Sequence, residues 1–399
     1  MAFPVKWTKE VVVRLRSRLR LLLLATLLLS TVILWSQRNI LVKDDAPIQI
    51  LESATFNKSV LHPRTHRVTY YSRHTATLYN FEYISRGLNL TLHYISPTFL
   101  TRHPSEMTAK RALEIVRSGY VHSICSSTDI IVFADTAVDA RPFLTALAND
   151  IPCSAKVVME LTNRVDWGVP ADDLEEYWSL LGKIQTKVTW IANNPYDAKY
   201  IQKRIPASVK VIRSSGVSRV PKQTIPSNET TFAVTNARNW TRIYKEMSHT
   251  GIPSLAKKYY GGPETLTQHL GYIDFPYQVS TMKLYENLRA GVTLYVPSKK
   301  FFRNLVESKT IGFCCWDQFR NAETGKVDSD WHMNVEYYRP EFRRFVVYFG
   351  SLVELKELLE KARSENQMNQ ARVQIRKEGM ETMEKIGRES FKEWGLVLN

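Results

Sequence analysis

From Arg67 to about residue 365, short runs of β-branched and aromatic residues alternate with longer segments of helical period, and this alternation constrains the chain most. A strand, a helix of roughly 10–15 residues and a further strand make a βαβ unit, which closes as a parallel sheet with helices on its faces. Val68–Ser72, Leu90–Ile95, Asp129–Ala134, Ala155–Glu160, Lys187–Ala192 and Val209–Arg213 read as strands. Ala76–Arg86, Ser105–Ser118, Arg141–Asn149, Ala171–Gln185 and Pro195–Arg204 read as the helices between them. A Pro- and Ser-rich stretch, Val217–Thr230, breaks the period. The alternation restarts with strands Thr231–Thr235, Tyr272–Phe275, Val292–Val296 and Phe345–Tyr348. Trp240–His249, Met282–Ala290, Phe301–Glu307 and Leu352–Ala362 are the matching helices, and Asn366–Trp394 is a charged helical pattern expected to pack back over the rest.

The fold class these patterns predict is α/β: two Rossmann-like, doubly wound domains at 67–217 and 231–365, a linker at 218–230 and a closing helix within 366–399. With 399 residues, each domain is large enough to bury a core of its own. Open α/β sheets bind ligands outside the carboxyl ends of their strands, so the loops after the strands are where chemistry is expected. Two facing domains suit a two-part substrate.

A formal net charge of +15 ordinarily raises nucleic acid as a partner. Its distribution argues against that, because residues 1–43 hold eight basic residues and one acid and the remainder forms no basic stripe. Between Arg20 and Arg38 stand seventeen uncharged residues, Leu21 to Gln37, dominated by Leu, Ile, Val and Ala. As a helix they span roughly 25 Å, close to the thinner bilayers of the early secretory pathway. Six basic residues precede the run, which orients 1–20 to the cytosol, makes 21–37 a transmembrane anchor and places the rest in the lumen beyond a stem at 38–66. Around Leu34, Trp35 and Ser36 there is no small-x-small cleavage site, which favours a retained anchor over a removed signal peptide. A single-pass type II protein of the Golgi or endoplasmic reticulum membrane is therefore expected.

Sequons at Asn57, Asn89, Asn228 and Asn239 are compatible with that location. The four cysteines, Cys125, Cys153, Cys314 and Cys315, have no metal-site spacing; Cys125 and Cys153 could pair in an oxidising lumen or serve as small buried residues. The nine histidines form no HExxH or paired pattern, so no metal is expected.

The most informative stretch runs from Phe275 to Val292. A strand ends, Ser280 and Thr281 offer hydroxyls to cap a helix, and Gly291 ends that helix just before the next strand. Free N–H groups at a helix start attract anions, and Lys283 in the first turn adds charge suited to a phosphate. Glu286 lies about one turn on, on the same face, where a carboxylate can accept hydrogen bonds from ribose hydroxyls. In the first domain, Asp135, Glu160 and Asp166 follow or end apolar strands and are candidates for the carboxylate that takes a proton from an acceptor hydroxyl. The competing role is local: Asp135 as a helix cap and Glu160 with Arg164 as an ion pair.

The 275–292 stretch resembles the donor signature of GT-B glycosyltransferases, especially the large retaining family in which Glu-x7-Glu precedes a helix ending in Ala-x-Gly-x-Pro. Glu286 stands at the second acid, Gln278 at the first, and Ala290-Gly291-Val292 at the helix end without the Pro. The segments Val209–Val217 and Arg344–Ser351 are similar to the end of the acceptor domain and to a late donor-domain strand. The resemblance implies transfer of a sugar from a nucleotide-sugar donor to a hydroxyl of a glycan, glycoprotein or lipid-linked acceptor. It implies Ser280, Thr281 and Lys283 at the phosphates, Glu286 at the ribose and Gln278 near the sugar. Arg238, Arg242 or Lys245, after strand Thr231–Thr235, would offset leaving-group charge, making a metal unnecessary. Two other readings stand beside it: a GT-A enzyme using Asp328 and Asp330 of Asp328-Ser329-Asp330, and a non-catalytic carbohydrate-binding protein on a degenerate transferase fold.

Overall fold

The computed structural model describes residues 66–218, 231–234, 241–252, 254–257, 262–364 and 366–399. The expected anchor at 21–37, all of the stem but its last residue, most of the linker and Arg238 lie outside them. No helix among the described residues is long and apolar enough to cross a membrane. The described residues belong to one compact unit, Thr55–Asn399.

Apolar runs with little alternation form strands that are covered on both faces, as parallel sheets require. In the first half these are β1 (Arg67–Tyr71), β2 (Thr91–Ile95), β3 (Ile130–Ala134), β4 (Lys156–Leu161), β5 (Thr189–Ala192) and β6 (Val209–Val211). They make a six-stranded sheet in the order β2-β1-β3-β4-β5-β6 with every pairing parallel. The central β3, Ile-Ile-Val-Phe-Ala, is buried at every position, whereas the edge strand β2 is largely exposed. The second half supplies β7 (Thr231–Val234), β8 (Ser254–Lys257), β9 (Gly271–Ile273), β10 (Leu294–Pro297) and β11 (Val346–Phe349). Their order is β11-β10-β9-β7-β8, again all parallel. The architecture is α/β with parallel sheets.

Both sheets have a point where the strand order reverses. Strand β1 is followed outward by β2, and the chain returns to place β3 on the other side of β1; β7, β8 and β9 repeat the manoeuvre. Connections on opposite sides of such a point leave a crevice at the carboxyl ends of the flanking strands. The crevices therefore open beside Ser72 and Asp135 in one sheet, and beside the Asp274–Thr281 loop in the other.

Local chemistry accounts for the departures from the predicted elements. The expected helix Ser105–Ser118 is a single turn, Pro104–Glu106, followed by helix Ala109–Arg117, because Thr108 is extended and its hydroxyl caps the Arg111 N–H at 3.2 Å. Gly119, at φ 81°, then permits a new helix, Tyr120–Ser127. Cys125 in that helix is disulfide-bonded to Cys153, with Cα atoms 5.1 Å apart. Strand β8 is an additional edge strand.

The C-terminal helix, Asn366–Leu398, crosses from one sheet to the other. Gly379 lies against Leu288 and Phe345, the Ser390 hydroxyl donates to the Arg213 carbonyl at 2.6 Å, and Trp394 meets Phe81 edge-on at 5.1 Å.

Candidate functional site

At the end of β3 the chain turns through Asp135 at φ 68°, a left-handed conformation that Asp tolerates better than most residues. Its half-buried carboxylate accepts from Asn163 Nδ2 at 2.8 Å and from the Thr136 hydroxyl at 3.0 Å. Asn163 follows β4, so two neighbouring strand ends fix one carboxylate at the crevice. Glu160 lies deeper, paired in register with Ala134, and accepts from the Tyr70 hydroxyl at 2.8 Å. Burial pushes its carboxyl up to about 7, the Tyr70 bond opposes this and the Asp135 charge adds to it. Asp166 is committed elsewhere, to Arg164 at 2.8 Å and the Tyr200 hydroxyl at 2.6 Å. Of the three sequence candidates, only Asp135 stands partly open at the crevice.

In the second half, the loop after β9 begins with Asp274, buried and bonded to the Tyr337 hydroxyl at 2.6 Å. Tyr277 is 38% exposed, and Gln278 beside it is partly exposed. Helix Met282–Arg289 then starts at Thr281, whose hydroxyl caps the Leu284 N–H at 3.2 Å and lies 2.8 Å from the Tyr337 hydroxyl. The Ser280 hydroxyl donates to Glu336 at 2.7 Å in the interior. Lys283 Nζ donates to the Tyr272 hydroxyl at 3.1 Å and lies 4.9 Å from the centre of that ring. Burial lowers its pKa, while Asp274 and Glu286 oppose that shift. The Glu286 carboxyl is pushed up to about 7 by burial, against the pull of Lys283 and with the help of Glu264. Lys283, Glu286, Asp274 and Glu264 thus form one cluster, of which the sequence reading held the first two.

The Tyr277 hydroxyl, raised in pKa first by burial, is raised further by Asp274, Asp135, Cys314 and Glu286. Asp135 belongs to the first sheet and the others to the second half. Direct contacts hold the halves together. Arg213 meets Glu336 at 3.4 Å, and the Tyr285 hydroxyl, which also donates to Glu336, reaches the Asn193 carbonyl at 3.4 Å. Gly216, at φ 68°, passes so close to the Tyr285 carbonyl that a Cβ would collide with it.

The remaining candidates are dispersed. Arg242 and Lys245 are exposed on helix Thr241–His249, Arg242 pairing with Glu246 at 3.1 Å, and Arg238 lies outside the described residues. Asp328 and Asp330 are exposed around a turn, Asp330 preceding the short helix Trp331–Asn334. Among the described residues no three His, Cys, Asp or Glu side chains are grouped to hold a metal ion. Arg73, after β1, is bound in a two-pronged pair to Asp139 at 2.6 and 2.8 Å, so its charge is already matched.

Asp274, Glu264, Tyr277 and Asn163 were not singled out from sequence. Asp274 carried the clearest available signal, a carboxylate directly at the end of a strand. No known protein family and no curated protein matches the chain.

Proposed function

We propose that the chain is a glycosyltransferase of the GT-B architecture, transferring a sugar from a nucleotide-sugar donor to a hydroxyl of a glycan, glycoprotein or lipid-linked acceptor. The observation that carries this reading is a pair of strand-order reversal points, with Asp135 at the end of β3 beside one and Lys283 and Glu286 on the helix after β9 beside the other, in halves joined by Arg213–Glu336 and Tyr285–Asn193. Two Rossmann-like halves in this arrangement can hold the two parts of a substrate pair, one on each sheet.

In this reading the second half binds the donor. Lys283 and the N–H groups at the start of helix Met282–Arg289 take the diphosphate, Glu286 the ribose, and Gln278 the region of the sugar. Ser280 and Thr281 act through the helix start they build, since their hydroxyls are engaged with Glu336 and Tyr337. Asp135, held by Asn163 and Thr136, takes the acceptor proton, with Glu160 behind it. Arg238, Arg242 and Lys245 remain candidates for neutralising the leaving group. The apolar run at 21–37 tethers the enzyme in the Golgi or endoplasmic reticulum membrane with both halves in the lumen.

The test is calorimetric titration of the full chain with nucleoside diphosphates, and turnover on a panel of nucleotide sugars. Glu286→Ala is expected to weaken nucleotide binding by about tenfold or more, a loss of at least 1.4 kcal/mol, with the melting temperature retained. Asp135→Asn should keep nucleotide affinity and lower transfer by about a hundredfold or more. Absence of both nucleotide binding and sugar transfer in the unmodified chain would remove the proposal.

A further inference from the structure

Cys314 and Cys315 are consecutive residues in the connection between β10 and β11, and their Sγ atoms stand 2.6 Å apart. Consecutive side chains on an extended chain point to opposite faces, so such an approach requires the turn made here. Cys315 has φ −121° and ψ 17°, and Trp316 opens a short helix directly after it. Non-bonded carbon atoms settle about 3.5–4.0 Å apart, and sulfur is larger. The observed separation is only about half an ångström beyond the roughly 2.05 Å of a disulfide bond. Both are free thiols in the structure, and their sulfurs already stand within reach of a bond.

The surroundings tie the pair to the β9 loop and to the first half. Cys315 is buried in the second core while Cys314 is exposed. The Cys314 N–H donates to the Tyr277 carbonyl at 2.9 Å, so this loop holds the main chain of Tyr277. Just beyond, Phe319 meets Tyr196 of the first half at 5.6 Å between ring centres. The other two of the chain's four cysteines, Cys125 and Cys153, are already joined to each other, so these two are left as partners.

We propose that Cys314 and Cys315 close a vicinal disulfide, a reversible covalent site that fixes the loop supporting Tyr277. Closure needs an oxidant of the disulfide class, either a small-molecule disulfide or a protein dithiol oxidase. The exposed Cys314 thiolate attacks one sulfur of that disulfide and releases one thiol. The Cys315 thiolate then attacks the Cys314 sulfur in the mixed disulfide and releases the second. Two S–H groups become one S–S bond, and the oxidant leaves as two thiols. Neighbouring Cα atoms lie about 3.8 Å apart, short of the roughly 4.4–6.8 Å of ordinary disulfides, which makes this bond the more easily reduced of the two.

The experiment equilibrates the full chain with oxidised and reduced glutathione, adds a thiol-alkylating reagent before or after a strong reductant, and maps the Cys314–Cys315 peptide by mass. The expected peptide is unlabelled and lighter by two hydrogens before reduction, and carries two labels after it. Cys315→Ser should stop at the first step, its Cys314 carrying before reduction either one label or one glutathione and never the two-hydrogen loss. Labelling of both sulfurs without reduction, or linkage of either to Cys125, Cys153 or a second chain, would overturn the disulfide. Hydrogen exchange of the Cys314 amide is expected to rise several-fold on reduction; unchanged exchange would overturn its link to Tyr277.

Discussion

Burial holds a proton on Glu160 that water would remove. With its carboxyl pushed up to about 7 from a reference of 4.5, the folded chain keeps a proton that the unfolded chain has already lost between those values. The native state binds more protons there, so this contribution to stability is fully present below about pH 4.5 and is lost as pH rises through 7. Glu160→Gln mimics the protonated acid and can still accept from Tyr70. The variant should gain on the parent by about 2 kcal/mol between pH 5 and pH 8, measured by urea denaturation at both values. An equal difference at the two pH values would show that Glu160 is ionised in the fold. Asp135, Glu160 and Asp166 look alike in sequence, each an acid at or just beyond an apolar strand. What separates them are partners far along the chain: Asn163 for Asp135, Tyr70 for Glu160 and Tyr200 for Asp166. Side-chain identity was legible there, and commitment was not.

A helix of eight residues such as Met282–Arg289 does not hold itself together in water and depends on its cap and its packing. Thr281 supplies the cap and also bonds Tyr337, which in turn bonds Asp274, so one hydroxyl links the helix start to the carboxylate at the end of β9. Thr281→Val keeps the shape and removes both bonds. It should cost about 1–2 kcal/mol, with the Leu284 amide losing hydrogen-exchange protection, and Thr281→Ser should recover most of the loss. A change of only a few tenths of a kcal/mol would mean that packing alone fixes this helix. Capping is local chemistry, which is why this helix start was legible from Ser280 and Thr281. Strand β8, Ser-Leu-Ala-Lys, is too short and mixed to show a period and exists because β7 offers it an edge. The break within 105–118 turned on Thr108 serving as a cap inside a continuous apolar period.

At the scale of the molecule, the two sheets are held together by direct contacts and by the C-terminal helix, the longest described element that joins them. Its 33 residues make a rod of about 50 Å, and over the roughly 22 Å from Gly379 to Trp394 it passes from Leu288 and Phe345 of the second half to Phe81 of the first. The helical pattern of 366–394 was plain in the sequence, but its destination was not, since Trp394 and Phe81 become neighbours only once both sheets exist. Trp394, 1% exposed, is therefore the residue whose loss tests the tie. Trp394→Ala should cost about 3–5 kcal/mol, the range for a large aromatic removed from a core. The form of the transition carries more information than its midpoint. If the helix binds the halves into one cooperative unit, the variant should unfold in a single step at lower urea with the slope kept; if the halves separate, the slope falls or two steps appear. Val373→Ala, at a position of the same helix that is 61% exposed, is the matched control and should stay within about 0.5 kcal/mol of the parent. Equal stability for the two variants would mean that the end of the helix does not hold the halves together, and that direct contacts such as Arg213 with Glu336, Tyr285 with Asn193 and Tyr196 with Phe319 carry that load.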